Sequence, residues 1–77
     1  MIDPDKVKAK AAAFLKVPLE RMGDDVPLLS LVHESFLLVQ LVIELEEEFR
    51  ARLVQEDLQN VKTVGDLVKQ ITTHEIP

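Results

Sequence analysis

The side chains able to do chemistry are few, and their spacing keeps them apart. His33 and Ser35 are two residues from one another, which does not set an imidazole against a hydroxyl as base on nucleophile. Glu46, Glu47 and Glu48 are consecutive, so on a helix they fan around the axis instead of converging on a metal. His33 and His74 are distant, and neither shows the Glu-x-x-His spacing of helical metal sites. No cysteine occurs among the 77 residues, which excludes disulfides, thiolate catalysis, iron–sulfur ligation and cysteine zinc sites. That composition also suits a reducing compartment. There is no Gly-rich phosphate loop and no Gly-x-Ser-x-Gly elbow. These residues argue against an enzyme, and a metal-bound helical enzyme in particular lacks its ligands.

Ser35 differs by position. It stands where a long loop meets the predicted start of a helix, and there free backbone N–H groups and the helix dipole favour an anion. A phosphate ester on its hydroxyl would be stabilised in that place. Helix-starting serines are also common as plain N-caps, and on spacing alone the N-cap is the simpler reading.

The elements that must position Ser35 are all helical. Asp3 as N-cap and Pro4 at the first helical position begin a helix that runs to about Lys16. Val7, Ala11, Phe14 and Leu15 form its apolar face. Pro18 ends it, because a residue before proline resists helical geometry. Residues 17–34 read as a long loop holding Pro18, Gly23, Asp24, Asp25 and Pro27. Its Leu19, Met22, Val26, Leu28, Leu29 and Leu31 are too apolar to be left in water, so the loop is expected to pack across the core.

A second long helix is predicted from Ser35 to Arg50–Arg52. Leu38, Leu41, Val42, Leu45 and Phe49 form its core stripe, with Gln40, Glu44, Glu47 and Glu48 on the solvated side. Phe36, Val39 and Ile43 make a second apolar ridge on the side of Ser35. That ridge is shared between core and interface, with Val39 turned inward. A short helix is predicted over Glu56–Asn60, and a last one from Val64 to about Ile71. Thr63 is the N-cap of the last helix and Asp66 its capping-box partner. Val64, Leu67, Val68 and Ile71 form its core stripe, and Thr72 to Pro77 are expected to fray. No segment alternates like a strand. The fold expected is all-α: one domain over residues 1–77, a small bundle of three longer helices and one short helix.

Charge bounds the partners. The net charge is −5 and the acids are concentrated beyond residue 19, while Lys6, Lys8, Lys10 and Lys16 make the first helix basic. Nucleic acid and anionic lipid are therefore excluded as partners, and proteins with basic patches are favoured. The start of the chain lacks a signal-peptide core, and the longest apolar stretch, Phe36 to Leu45, is interrupted and too short for a bilayer. The reading is a cytoplasmic monomer.

Glu34-Ser35-Phe36, Leu45-Glu46-Glu47-Glu48-Phe49 and Thr63-Val64-Gly65-Asp66-Leu67, in that order along the four helices, resemble the acyl carrier protein family. The resemblance covers nearly the whole chain. It implies that Ser35, which follows an acid at the start of the second helix, is esterified with 4′-phosphopantetheine. It implies a carrier and not a catalyst, holding acyl groups as thioesters on a thiol that the prosthetic arm brings. The implied partners are a phosphopantetheinyl transferase and acyl-loading, condensing or other acyl-processing enzymes. They would read Glu34, Phe36, Leu37, Val39 and Ile43, guided by Glu46 and Glu47. Several positions depart from the family pattern. Val32 replaces a usual glycine, Glu34 replaces aspartate, and Leu37 and Gln40 stand where carriers of primary fatty-acid synthesis place acids. The departures point to polyketide, non-ribosomal peptide or other specialised acyl synthesis. The alternatives are the carrier of primary fatty-acid synthesis and an unmodified helical interaction module of the same fold.

Overall fold

Asp3 opens the first helix as its charge and length allow: its Oδ1 accepts from the N–H of Asp5 at 2.9 Å, and Pro4 supplies the preset φ of the first turn. The structure is a computed structural model and describes residues 1–76. Helix α1 spans Pro4–Leu15 and closes on Lys16 in the left-handed region, φ 58°. Helix α2 spans Ser35–Phe49 and closes the same way on Arg50, φ 53°. Helix α3 is the short Gln55–Gln59, one residue earlier than its apolar and acidic residues predict. Helix α4 spans Val64–Thr73. Among the described residues there are no strands, only two isolated bridges.

The core sits where α1, α2 and α4 meet. Val7, Ala11 and Ala12 face Leu41, Val42 and Leu45, and the α4 stripe Val64, Leu67, Val68 and Ile71 closes the third side. All four α4 positions expected in the core are buried. Leu38 and Phe49 of the α2 stripe lie partly buried at its ends.

The 17–34 segment is a loop, tightened by two single turns of 3₁₀ helix, Leu19–Arg21 and Leu28–Ser30. Met22, Leu28 and Val32 are its buried anchors, while Leu19 and Leu29 stay exposed. Its middle is stitched to the start of α4. Leu28 N–H donates to the Lys62 carbonyl at 2.9 Å, Val64 N–H to the Val26 carbonyl at 2.9 Å, and Gly65 N–H to the Asp24 carbonyl at 3.0 Å. Gly65 is required for this approach, since a Cβ there would lie 2.9 Å from the Asp24 carbonyl oxygen. The capping box forms as predicted: Asp66 N–H donates to Thr63 Oγ1 at 3.2 Å, and Asp66 Oδ2 accepts from Thr63 N–H at 3.1 Å.

The chain end differs from expectation. Fraying was predicted from Thr72, yet α4 continues through Thr73, Ala51 pairs with Glu75, and Ile76 N–H donates to the Arg50 carbonyl at 2.7 Å. The turn after α2 offers free backbone groups, and the tail satisfies them. Pro77 lies outside the described residues.

Candidate functional site

Ser35 is the first residue of α2, not its cap. Glu34 holds the N-cap position in extended geometry, and its carboxylate makes no capping hydrogen bond. The Glu34 carbonyl accepts from Leu37 N–H at 3.1 Å and Leu38 N–H at 3.4 Å, which starts the helix. The Ser35 side chain is exposed, and among the described residues its hydroxyl is not hydrogen-bonded. The N–H groups of Ser35 and Phe36 are likewise unpaired there. Ser35 is therefore not the N-cap of α2, and among the described residues its hydroxyl makes no internal hydrogen bond. A phosphate ester on it would lie beside two unpaired donors at the positive end of a 15-residue helix.

The loop holds this position from below. Val32 is fully buried and donates its N–H to the Leu28 carbonyl at 3.0 Å, so it anchors the loop under the α2 start. An open depression beside Ser35 is lined by Leu15, Leu31, Val32, His33, Glu34, Phe36, Leu37 and Gln40. His33 is exposed.

The apolar ridge is more exposed than expected. Phe36 is 66% exposed, and Val39 and Ile43 are each 49% exposed. Val39, expected inward, is instead half-exposed, because Leu38, Leu41, Val42 and Leu45 already fill the side of α2 that meets the core. Leu37 is half-buried at the edge of the same surface.

The acids of α2 are not equivalent. Glu46, expected to guide partners beside Glu47, instead accepts from Leu53 N–H through Oε2 at 2.9 Å and so holds the α2–α3 connection. Glu44 and Glu48 lie 3.6 Å and 3.4 Å from Lys10 Nζ of α1. Glu47 and Glu34 have no ion-pair partner among the described residues. Lys10 is the residue that sequence reasoning missed. The signal was present as Glu44 and Glu48, one helical turn apart opposite a basic helix, but which α1 lysine they meet depends on the crossing of the helices.

On the other side of the molecule, Asp57 Oδ2 accepts from Val54 N–H at 3.0 Å and lies 3.3 Å from His74 Nε2, which ties α3 to the end of α4. Among the described residues no group of three or more acids and histidines could hold a metal ion, and no helix is long and apolar enough to cross a membrane.

The site thus combines an exposed serine at a helix start, an anion-favouring terminus and an apolar ridge beside it. The phosphopantetheine attachment-site family matches residues 5–71, and the chain belongs to it. An acyl carrier protein of Bdellovibrio bacteriovorus is 34% identical over 70 residues, covering 91% of this chain and 72% of its own. Acyl carrier proteins of Clostridium perfringens and Lactobacillus acidophilus are 44% and 38% identical over 41 and 42 residues. The chain spans about half the length of these last two relatives, 54% and 52%. The group that this family attaches is 4′-phosphopantetheine.

Proposed function

We propose that this protein is a non-catalytic acyl carrier whose attachment residue is Ser35. The observation that carries the reading is the Ser35 hydroxyl itself, exposed and free of internal hydrogen bonds at the N-terminus of α2. The residues present fit the group: a free hydroxyl to esterify, two unpaired N–H groups, and space above them. When attached, the arm supplies a thiol on a flexible tether, to which acyl groups join as thioesters; the chain has no cysteine to offer instead. What the chain does is hold and present. Val32 and Leu28 anchor the loop so that Ser35 stays at the surface. The α2 dipole offsets the charge of a phosphodiester, an effect of about 0.3–1 kcal/mol at an exposed helix end.

Partner enzymes read the α2 surface: Phe36, Val39 and Ile43 as apolar anchors, Leu37 at their edge, Glu34 and Glu47 as the free charges. Apolar anchors govern the lifetime of such a complex, and rim charges its rate of formation. The partners are a phosphopantetheinyl transferase and acyl-processing enzymes. The pathway is a specialised one, polyketide, non-ribosomal peptide or similar. This is supported by the apolar, uncharged start of α2 at Phe36, Leu37 and Gln40.

The test is intact mass after incubation with coenzyme A and a broad-specificity phosphopantetheinyl transferase. One arm is added to the protein and none to Ser35→Ala. No added mass with several transferases would leave the chain an unmodified interaction module.

A further inference from the structure

A basic group on α1 lies against the acids of α2. Four acids lie on α2, yet three are already engaged within the molecule. Lys10 Nζ lies between Glu44 Oε1 at 3.6 Å and Glu48 Oε1 at 3.4 Å, and Glu46 Oε2 is taken by the Leu53 N–H at 2.9 Å. Glu47 alone keeps a carboxylate without a partner among the described residues. It shares an open depression with Phe14, Gln40, Ile43 and Glu44, on the α1 side of the exposed ridge.

We infer that Lys10 is a specificity-determining residue: an internal counter-ion that withdraws Glu44 and Glu48 from recognition and selects partners with an apolar docking surface whose few cations lie opposite the free carboxylates Glu47 and Glu34. This rests on the carrier reading and adds to it the chemistry of the partner. The physical reason is competition. A basic partner that seeks Glu44 or Glu48 must first displace the Lys10 ammonium, and because these pairs are partly exposed the exchange lowers its gain by a few-fold only. An apolar partner meets Phe36, Val39 and Ile43 without that exchange. The distances suit one footprint. Nine residues of helix separate Ser35 from Glu44, about 14 Å at 1.5 Å per residue. A partner that reaches Ser35 and buries about 800 Å² covers both.

The experiment measures transfer of the arm from coenzyme A by a broad-specificity phosphopantetheinyl transferase across a series of salt concentrations. It compares the protein with Lys10→Gln and with Lys69→Gln. Lys69 is an exposed α4 lysine in no ion pair among the described residues, so its variant makes the same change in net charge. For Lys10→Gln at low salt, kcat/KM rises about two- to fivefold, the scale an exposed ion pair supports. The rise lies in KM at unchanged kcat, and it disappears at high salt because the newly freed carboxylates are screened. Lys69→Gln shows neither change. If Lys10→Gln matches Lys69→Gln, or is slower than the protein at low salt, the inference is overturned while the carrier reading stands. Absence of transfer to any of the three overturns both.

Discussion

Ser35 and Asp66 show how differently two helix-start side chains are used. Ser35 keeps its hydroxyl out of the internal hydrogen bonding, whereas Asp66 spends its carboxylate on two backbone donors, Lys62 and Thr63 N–H at 3.1 Å each. Ser35→Ala is therefore expected to leave stability within about 0.5 kcal/mol, as at other uncommitted surface positions. Urea denaturation checks this beside the loss of arm attachment. Asp66 has a pKa lowered from the ordinary 3.8, first by the Lys62 N–H bond and then by that of Thr63. A depressed folded-state pKa adds stability that is full above the unfolded value and lost as pH falls through the folded one. Denaturation midpoints of the protein and Asp66→Asn, compared from pH 7 downward, should differ most at neutral pH. The gap should narrow below about pH 4, where the unfolded carboxyl takes up its proton. A gap that widened on acidification would contradict the capping role.

The elements owe their places to a few close contacts in the connections. Gly65 lets the first turn of α4 press against the Asp24 backbone, and the Leu28 and Val64 bonds complete the seam. Gly65→Ala would force a methyl group to 2.9 Å from a carbonyl oxygen and so push the 17–34 loop off α4. A loss of about 1–3 kcal/mol is expected, as for other overpacked sites, and it outweighs the gain of about 1 kcal/mol that alanine brings to a helix. Thermal unfolding measures it. The loop also carries Val32 and the α2 start, so Gly65→Ala should slow arm attachment to Ser35 as well. At this scale the helices were legible in the sequence, because proline, capping residues and the period of the apolar positions act locally. The loop's seam with α4 was not, since it depends on hydrogen bonds such as Leu28 to Lys62 and Gly65 to Asp24, between residues far apart in sequence.

The whole molecule is a 77-residue bundle with no disulfide, so its stability comes from the packing of three helices. Chains of this size are worth about 4–12 kcal/mol at 0.05–0.15 kcal/mol per residue. Leu45 is fully buried at the centre. Leu45→Ala should cost about 2–5 kcal/mol, a large part of that total, and urea denaturation should show a much lower midpoint with a similar slope. Charge is arranged at this scale too. The basic surplus of α1 is turned partly inward against α2 through Lys10, and against the loop through Lys8, whose Nζ lies 2.6 Å from Asp24 Oδ1. The net charge of −5 is thus unevenly available to a partner.

Sequence alone determined the helices, the α4 core stripe, the Thr63–Asp66 capping box and Ser35 as the hydroxyl worth testing. Each of these depends on residue type and on spacing of a few positions. The tertiary structure decided what the same residues are free to do. It turned Val39 outward, gave Glu46 to Leu53 and held Glu44 and Glu48 against Lys10. It left the Ser35 hydroxyl unpaired and tied the chain end to the turn after α2. These outcomes arise where helices cross or where distant backbone groups meet, and periodicity along one segment carries no information about what lies opposite it.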